Sequence, residues 1–306
     1  MTQLRVLALA SAAVLLPAQE SARLAGPTSG VVFDAPSRAL RVVMGVPGAA
    51  YLGGALAADL DGGAVSPGGR FAVAMAAGEA VLVSTASGAR TRLGAACEGP
   101  VGWNADASAV ALGCASGARL YKISAEGAAT AMNLAGLDGK LSAIAVDASG
   151  RAVYALRADG VYRADAESSR MLAPVADAAG FALAGDTLYV ADRAGQQVLA
   201  LENLNASASL RRVVAVEEPV AVAAEGGRLF AASGSSLRVW NVGTSEELAR
   251  LELDFAPTRI DALSGGLFLL HARRDNSDAV QVLDARKLTV HFVPSQDLGS
   301  VANLED

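Results

Sequence analysis

The segment Thr187-Leu188-Tyr189-Val190-Ala191-Asp192-Arg193-Ala194-Gly195-Gln196-Gln197-Val198-Leu199-Ala200-Leu201 decides the fold. It holds two short apolar runs rich in β-branched and aromatic residues, separated by a polar break with a glycine, the pattern of two strands joined by a turn. Ala184-Gly185-Asp186 before it is a second turn, with a further apolar run upstream. The polar breaks are too short to hold crossover helices, so the strands must pair antiparallel. Alanine makes up about a fifth of the chain, but its helical preference is a weak prior that the recurring turns overrule.

Outward from this unit, the same grammar recurs. Turns centred in Ser66–Arg70, Asn104–Ser108, Asp147–Arg151, Ala184–Thr187, Ala224–Arg228 and Leu263–Gly266 lie roughly 36 to 43 residues apart, close to the ~40-residue period of a four-stranded repeat. Each is preceded by one apolar segment and followed at once by another, then by a hairpin such as Leu237–Trp240 with Glu247–Leu251. Repeats of this kind bury their faces only by stacking on their neighbours.

The segment from Thr187 to Leu201 resembles an NHL or YVTN-type unit of the β-propeller repeat superfamily, and the repeat pattern extends that resemblance over about 31–292. Trp240-Asn241 ends a third strand as the Trp-Asp pair does in WD-like blades, but it occurs once and has no Gly-His partner. The tryptophan placement of sialidase Asp boxes and the motifs of quinoprotein propellers are missing. The resemblance, to bacterial exported propellers, implies an all-β fold: seven blades of antiparallel four-stranded sheets. Six units are complete, and Val31–Asp34 with Leu40–Val43 reads as a third-and-fourth-strand hairpin before them. A ring must pair its ends, so this hairpin is expected to join Ser300–Leu304, with the segment around Arg23-Leu24-Ala25 as a further contributor. The alternative is six blades plus an extra hairpin.

Met1 to Ala18 holds one charge, Arg5, and an apolar run from Val6 to Leu16 ended by Pro17, the form of a secretory signal peptide. The run is about half of the ~20 residues a membrane-spanning helix needs. Residues 1–18 are therefore read as a signal and 19–306 as a single propeller domain, periplasmic or secreted, with no stable membrane insertion after cleavage. A buried N-terminal helix is the competing reading. No Pro- or Ser-rich linker divides the repeats.

Composition limits function. The 306 residues are 52% hydrophobic and 18% charged, with 31 acidic against 25 basic side chains and a pI near 5.1. No basic run stands out, so a counterion-releasing grip on nucleic acid is not expected. Two tryptophans and five tyrosines leave few stacking platforms for sugars or bases.

Cys97 and Cys114 bracket the second turn. With Asn104–Ala107 as a four-residue turn, Val101 faces Val110, Gly99 faces Leu112 and Cys97 faces Cys114, a register that permits a disulfide; two buried thiols are the alternative. His271 and His291 fall in the second and fourth strands of one blade with the third between them, so no metal centre and no cofactor are expected. The Gly-Gly-Arg turns are not phosphate loops, because no helix follows them.

Glu79, Glu98, Asp138, Asp159, Asp177, Asp192, Glu217, Glu218 and Asp275 gather in connections expected at one rim, with Lys140, Arg193, Arg259, Arg273 and Arg274. The longest polar connection, Arg273-Arg274-Asp275-Asn276-Ser277-Asp278, is the first choice for a contact. Asp192, Arg193, Arg259, Arg273, Arg274 and Asp275 are thus the candidate ligand-binding residues, against the commoner role of solvated loop charge. No catalytic signature is present. Three functions remain: a non-catalytic module binding a protein, peptide or small ligand through the rim, a propeller hydrolase or lyase using rim carboxylates, or a subunit of an envelope assembly.

Overall fold

The computed structural model describes residues 27–263, 265–272 and 279–294. The signal at 1–18, Arg23–Ala25, the connection 273–278 and the tail at Ser300–Leu304 lie outside the described residues.

Every described pairing is antiparallel, and the only helix among the described residues is a single 3-10 turn, Pro67–Gly69. Six four-stranded sheets occupy 62–95, 101–132, 143–174, 178–215, 221–252 and 257–294, and three strands before them, Thr28–Asp34, Ala39–Met44 and Tyr51–Ala57, form the first blade of a seven-bladed ring. The six turns read from the repeat each link the first and second strands of a blade. Their chemistry differs with length. In the longer ones a side chain caps the turn: Ser66 Oγ accepts the Phe71 N–H at 3.0 Å, Asn104 Oδ1 that of Ala109 at 2.9 Å, and Asp147 Oδ1 those of Arg151 and Ala152. The two-residue turn Gly226-Gly227 instead needs left-handed backbone, with φ of 57° and 76°.

Strand alternation gives each blade two apolar faces, and each face meets the next blade. Val73 and Leu82 of the second blade pack on Val110 and Leu112 of the third, Ala109 and Ala111 on Ile144 and Val153, and Tyr154 and Leu156 on Leu188 and Val190. Tyr189 and Val198 then meet Val222 and Leu229, and Phe230 meets Phe268 with ring centroids 5.2 Å apart. The ring closes by the same device. Leu263 and Val282 of the seventh blade pack on Val32, Val43 and Leu52 of the first, whose other face covers Ala72 and Val81 of the second. The Gly68 N–H also donates to the Leu263 carbonyl at 3.2 Å, linking the inner turns of the second and seventh blades.

One detail of the first blade departs from the sequence reading. The hairpin is not the outer end of its sheet, because Tyr51–Ala57 pairs with Ala39–Met44 beyond it. That strand carries Gly53-Gly54 and two register shifts, so it lacks the alternation that marks a strand in sequence. A Cβ on Gly53 would stand 2.9 Å from Met44 Cγ, so a larger residue there would have to displace that side chain.

Candidate ligand-binding site

Antiparallel blades put two sets of connections at one end of the ring: those between second and third strands, and those from each fourth strand to the next blade. Most acidic candidates sit there, and many are already engaged. Glu79 pairs with Arg92 at 2.6 Å. Asp159 accepts the Tyr162 hydroxyl at 2.7 Å, which lowers its pKa, and Arg157 stacks over the same ring.

Asp192 is engaged by its own turn. It ends the second strand of the fifth blade almost fully buried, and its carboxylate accepts the Gly195 N–H at 3.0 Å and the Gln197 amide at 2.9 Å, bracing the turn between them. Arg193, within that turn, is held by Asp177 at 2.6 Å. This exposed pair contributes at most about 1 kcal/mol. Glu98, Asp138, Glu217 and Glu218 remain exposed, and no ion pair joins them to another described residue; Lys140 is likewise unpaired. Arg273, Arg274 and Asp275 lie outside the described residues.

Arg259 belongs to a different setting, the inner strand of the seventh blade, Pro257–Ala262. Alternation turns Ile260 into the core shared with the sixth blade and leaves Arg259 and Asp261 together on the opposite face. His271, directly opposite Arg259 on the neighbouring strand, completes a cluster. One oxygen, Asp261 Oδ2, lies 2.9 Å from Arg259 Nε and 2.7 Å from His271 Nε2, while Arg259 Nη2 lies 3.0 Å from the same imidazole nitrogen. Burial pushes the Asp261 carboxyl up, but the hydrogen bond and charge of His271, with the Arg259 guanidinium, outweigh it and hold it below the usual range.

The contrast with other inner strands is chemical. Gly62–Val65, Val101–Trp103, Ala143–Val146 and Ala178–Ala184 carry no charge, and Ala221–Glu225 carries one only at its end. Charges at i and i+2 in a strand whose counterparts are almost free of charge were the available signal for Asp261; His271 follows only from the register. His291 lies in the fourth strand, where Thr289 Oγ1 is 3.0 Å from its Nε2, so the histidines have separate partners. No group of three metal-ligating side chains occurs among the described residues.

Cys97 and Cys114 are joined by a disulfide across 17 residues, with Cα atoms 4.4 Å apart. The register beneath it differs from the sequence reading: Trp103 faces Val110 and Val101 faces Leu112. Asn104 and Ala109 close a longer turn, with Ala107 at φ 58°, so the ladder slips by two residues. The cysteines still meet because the regular strand stops at Val101 and the backbone re-pairs at Gly99 and Pro100 with Gly113.

No family model matches the chain, and no curated protein matches it. Solved structures do. Virginiamycin B lyase from Staphylococcus aureus, in selenomethionine form, aligns with a TM-score of 0.55 at 13% identity, over 76% of this chain and 83% of its own. The Cps50 (Swd1) β-propeller domain of Myceliophteria thermophila aligns at 0.56 and 17%, over 85% and 97%. A chain of the Mitotic Checkpoint Complex aligns at 0.58 and 14%, over 96% and 90%. At such identities the likeness speaks for the fold alone.

Proposed function

We propose that this chain, a member of the β-propeller repeat superfamily, is an exported non-catalytic module that binds a protein, peptide or small ligand at the rim beside Arg259. The observation that carries the reading is the Arg259–Asp261–His271 cluster, set on an inner strand and its neighbour where the other described inner strands hold no charge but Glu225. A propeller converges its inner strands on one axis, so a strand there with charges at two alternate positions gives a ligand a place to orient. Glu98, Asp138, Glu217 and Glu218, which form no ion pair with another described residue, favour a partner with positive charge. The apolar run Val6–Leu16 and the Cys97–Cys114 disulfide support export, since disulfides persist in oxidising compartments.

The test is capture from periplasmic and secreted extracts by the chain and by its Arg259→Ala/His271→Ala variant. A partner retained by the first and lost by the second supports the reading. Equal retention by both overturns the assignment to this cluster. Export is tested by fusing residues 1–26 to a periplasm-dependent reporter, whose inactivity overturns that part.

A second reading, a hydrolase or lyase, draws on the same cluster. Asp261 orients His271 as the carboxylate partner of a general base does. Turnover by the purified chain, lost in His271→Gln, would favour catalysis over simple binding.

A further inference from the structure

A second surface lies at the outer margin of the ring, where the fourth strand of the sixth blade passes toward the seventh. Residues 250–255, at the end of the sixth blade's outer strand Glu247–Glu252 and just beyond it, line a groove of about 450 Å³ with Val290 and Phe292 of the seventh blade's outer strand, Thr289–Pro294. Leu251, Leu253 and Val290 form its floor, and Phe255 and Phe292 meet edge-to-face across it with centroids 6.4 Å apart. Phe292 is 52% exposed beside the half-buried Phe255, so the two rings present apolar surface to solvent.

The strand beside the groove is also the least defended outer edge. Natural edges are blunted by charge, bulges or short length. Arg90–Ala95, Ser169–Pro174, Ser209–Ala215 and Glu247–Glu252 all carry Arg or Glu, Ala129–Met132 has only four residues, and Tyr51–Ala57 is broken by register shifts. Thr289–Pro294 has six residues, no Asp, Glu, Lys or Arg, and an unbroken ladder with its inner neighbour. Its protection is Pro294 at the end.

We propose that this groove docks an extended peptide segment of another protein. The segment adds to the edge of Thr289–Pro294 and seats an apolar side chain against the paired rings of Phe255 and Phe292, with a neighbouring lysine or arginine against Asp254. Charge selects this occupant. Arg250 is engaged by Glu252 at 2.6 Å, while Asp254 is exposed and has no ion-pair partner among the described residues, so the lining carries net negative charge. A second copy of a chain with net charge −6 is disfavoured, as is the chain's own tail, where residues 295–306 carry Asp297, Glu305 and Asp306 and no cation.

The probe is a fluorescently tagged, amidated peptide, Lys-Phe-Lys-Val-Lys-Val, titrated by anisotropy against the full chain. Phe292→Ala and Asp254→Lys, both exposed changes, should each weaken binding about tenfold, and replacing the peptide's lysines by glutamates should do the same. Glu217→Gln/Glu218→Gln should leave the affinity unchanged, which separates this groove from the acidic connection between the fifth and sixth blades. Unchanged binding in Phe292→Ala or Asp254→Lys overturns the proposal, as does loss of binding in the Glu217/Glu218 variant. A two-chain mass by light scattering that reverts in Phe292→Ala would assign the groove to self-association instead, and tighter probe binding by a chain ending at Pro294 would assign it to the tail.

Discussion

The Arg41 guanidinium donates to the Asp34 carboxylate at 3.1 Å inside the first blade, with both side chains almost fully buried. Arg41 also donates to the carbonyls of Gly53 at 2.7 Å and Leu52 at 3.2 Å, so one side chain joins all three strands of that sheet. Removing one partner leaves a buried charge uncompensated. Arg41→Ala should cost about 3–5 kcal/mol in urea unfolding, and Asp34→Ala a similar amount. Exchanging both for apolar residues, Asp34→Leu with Arg41→Met, should cost less than either single change. If the double variant is as unstable as the sum of the singles, the pair is not the unit that matters.

The Cys97–Cys114 disulfide closes a loop with a sequence separation of 17 residues. Cross-linking a loop of that length restricts the unfolded chain by about 3 kcal/mol. Cys97→Ser/Cys114→Ser should therefore unfold at lower urea by that amount while keeping its β-rich circular dichroism. Dithiothreitol should lower the stability of the wild-type chain and leave the double variant unmoved.

Asp165 lies in the turn between third and fourth strands of the fourth blade. Its carboxylate accepts a hydrogen bond from Arg163 and the backbone N–H groups of Ser168 and Glu167, which bring its pKa from 3.8 down to about 2. A folded-state pKa below the unfolded value gives stability that is present above pH 3.8 and lost as pH falls toward 2. Asp165→Asn should be less stable than wild type at neutral pH, and the gap should close across that window. A gap of constant size from pH 6 to pH 2 would show that the carboxylate's ionisation contributes nothing.

The ring was legible in the sequence because its turns carry their own chemistry: Ser66, Asn104, Asp147 and the glycine pairs mark where first strands end. Tyr51–Ala57 was hidden by Gly53-Gly54, which suppress the period-two pattern, and the third-blade register was missed because Ala107 lengthens its turn with a left-handed residue that sequence does not announce. The site was legible only in part. Arg259 could be placed on an inner strand, but its partners come from side-chain direction and cross-strand register. Asp192 shows the same limit from another side: the sequence places an acidic residue at a strand end, and only the structure shows its carboxylate turned inward to brace Gly195 and Gln197.

Close approach of neighbouring blades at the axis makes the final prediction. A Cβ on Gly102, in the inner strand of the third blade, would stand 2.2 Å from the Ile144 carbonyl oxygen and 2.9 Å from the Ala145 Cα. Both obstacles are backbone of the fourth blade's inner strand, so no side-chain rotation relieves them. Gly102→Ala should force the two blades apart and cost roughly 1–3 kcal/mol or more, the range of overpacked cores. Gly62 occupies an inner strand of the second blade with nothing within 4 Å of its hypothetical Cβ. Gly62→Ala should accordingly be neutral, or stabilising by about 0.4–1 kcal/mol through the lost freedom of the unfolded chain. Urea midpoints for the two variants should move in different ways. Equal behaviour would mean that the inner strands are not packed at the spacing described.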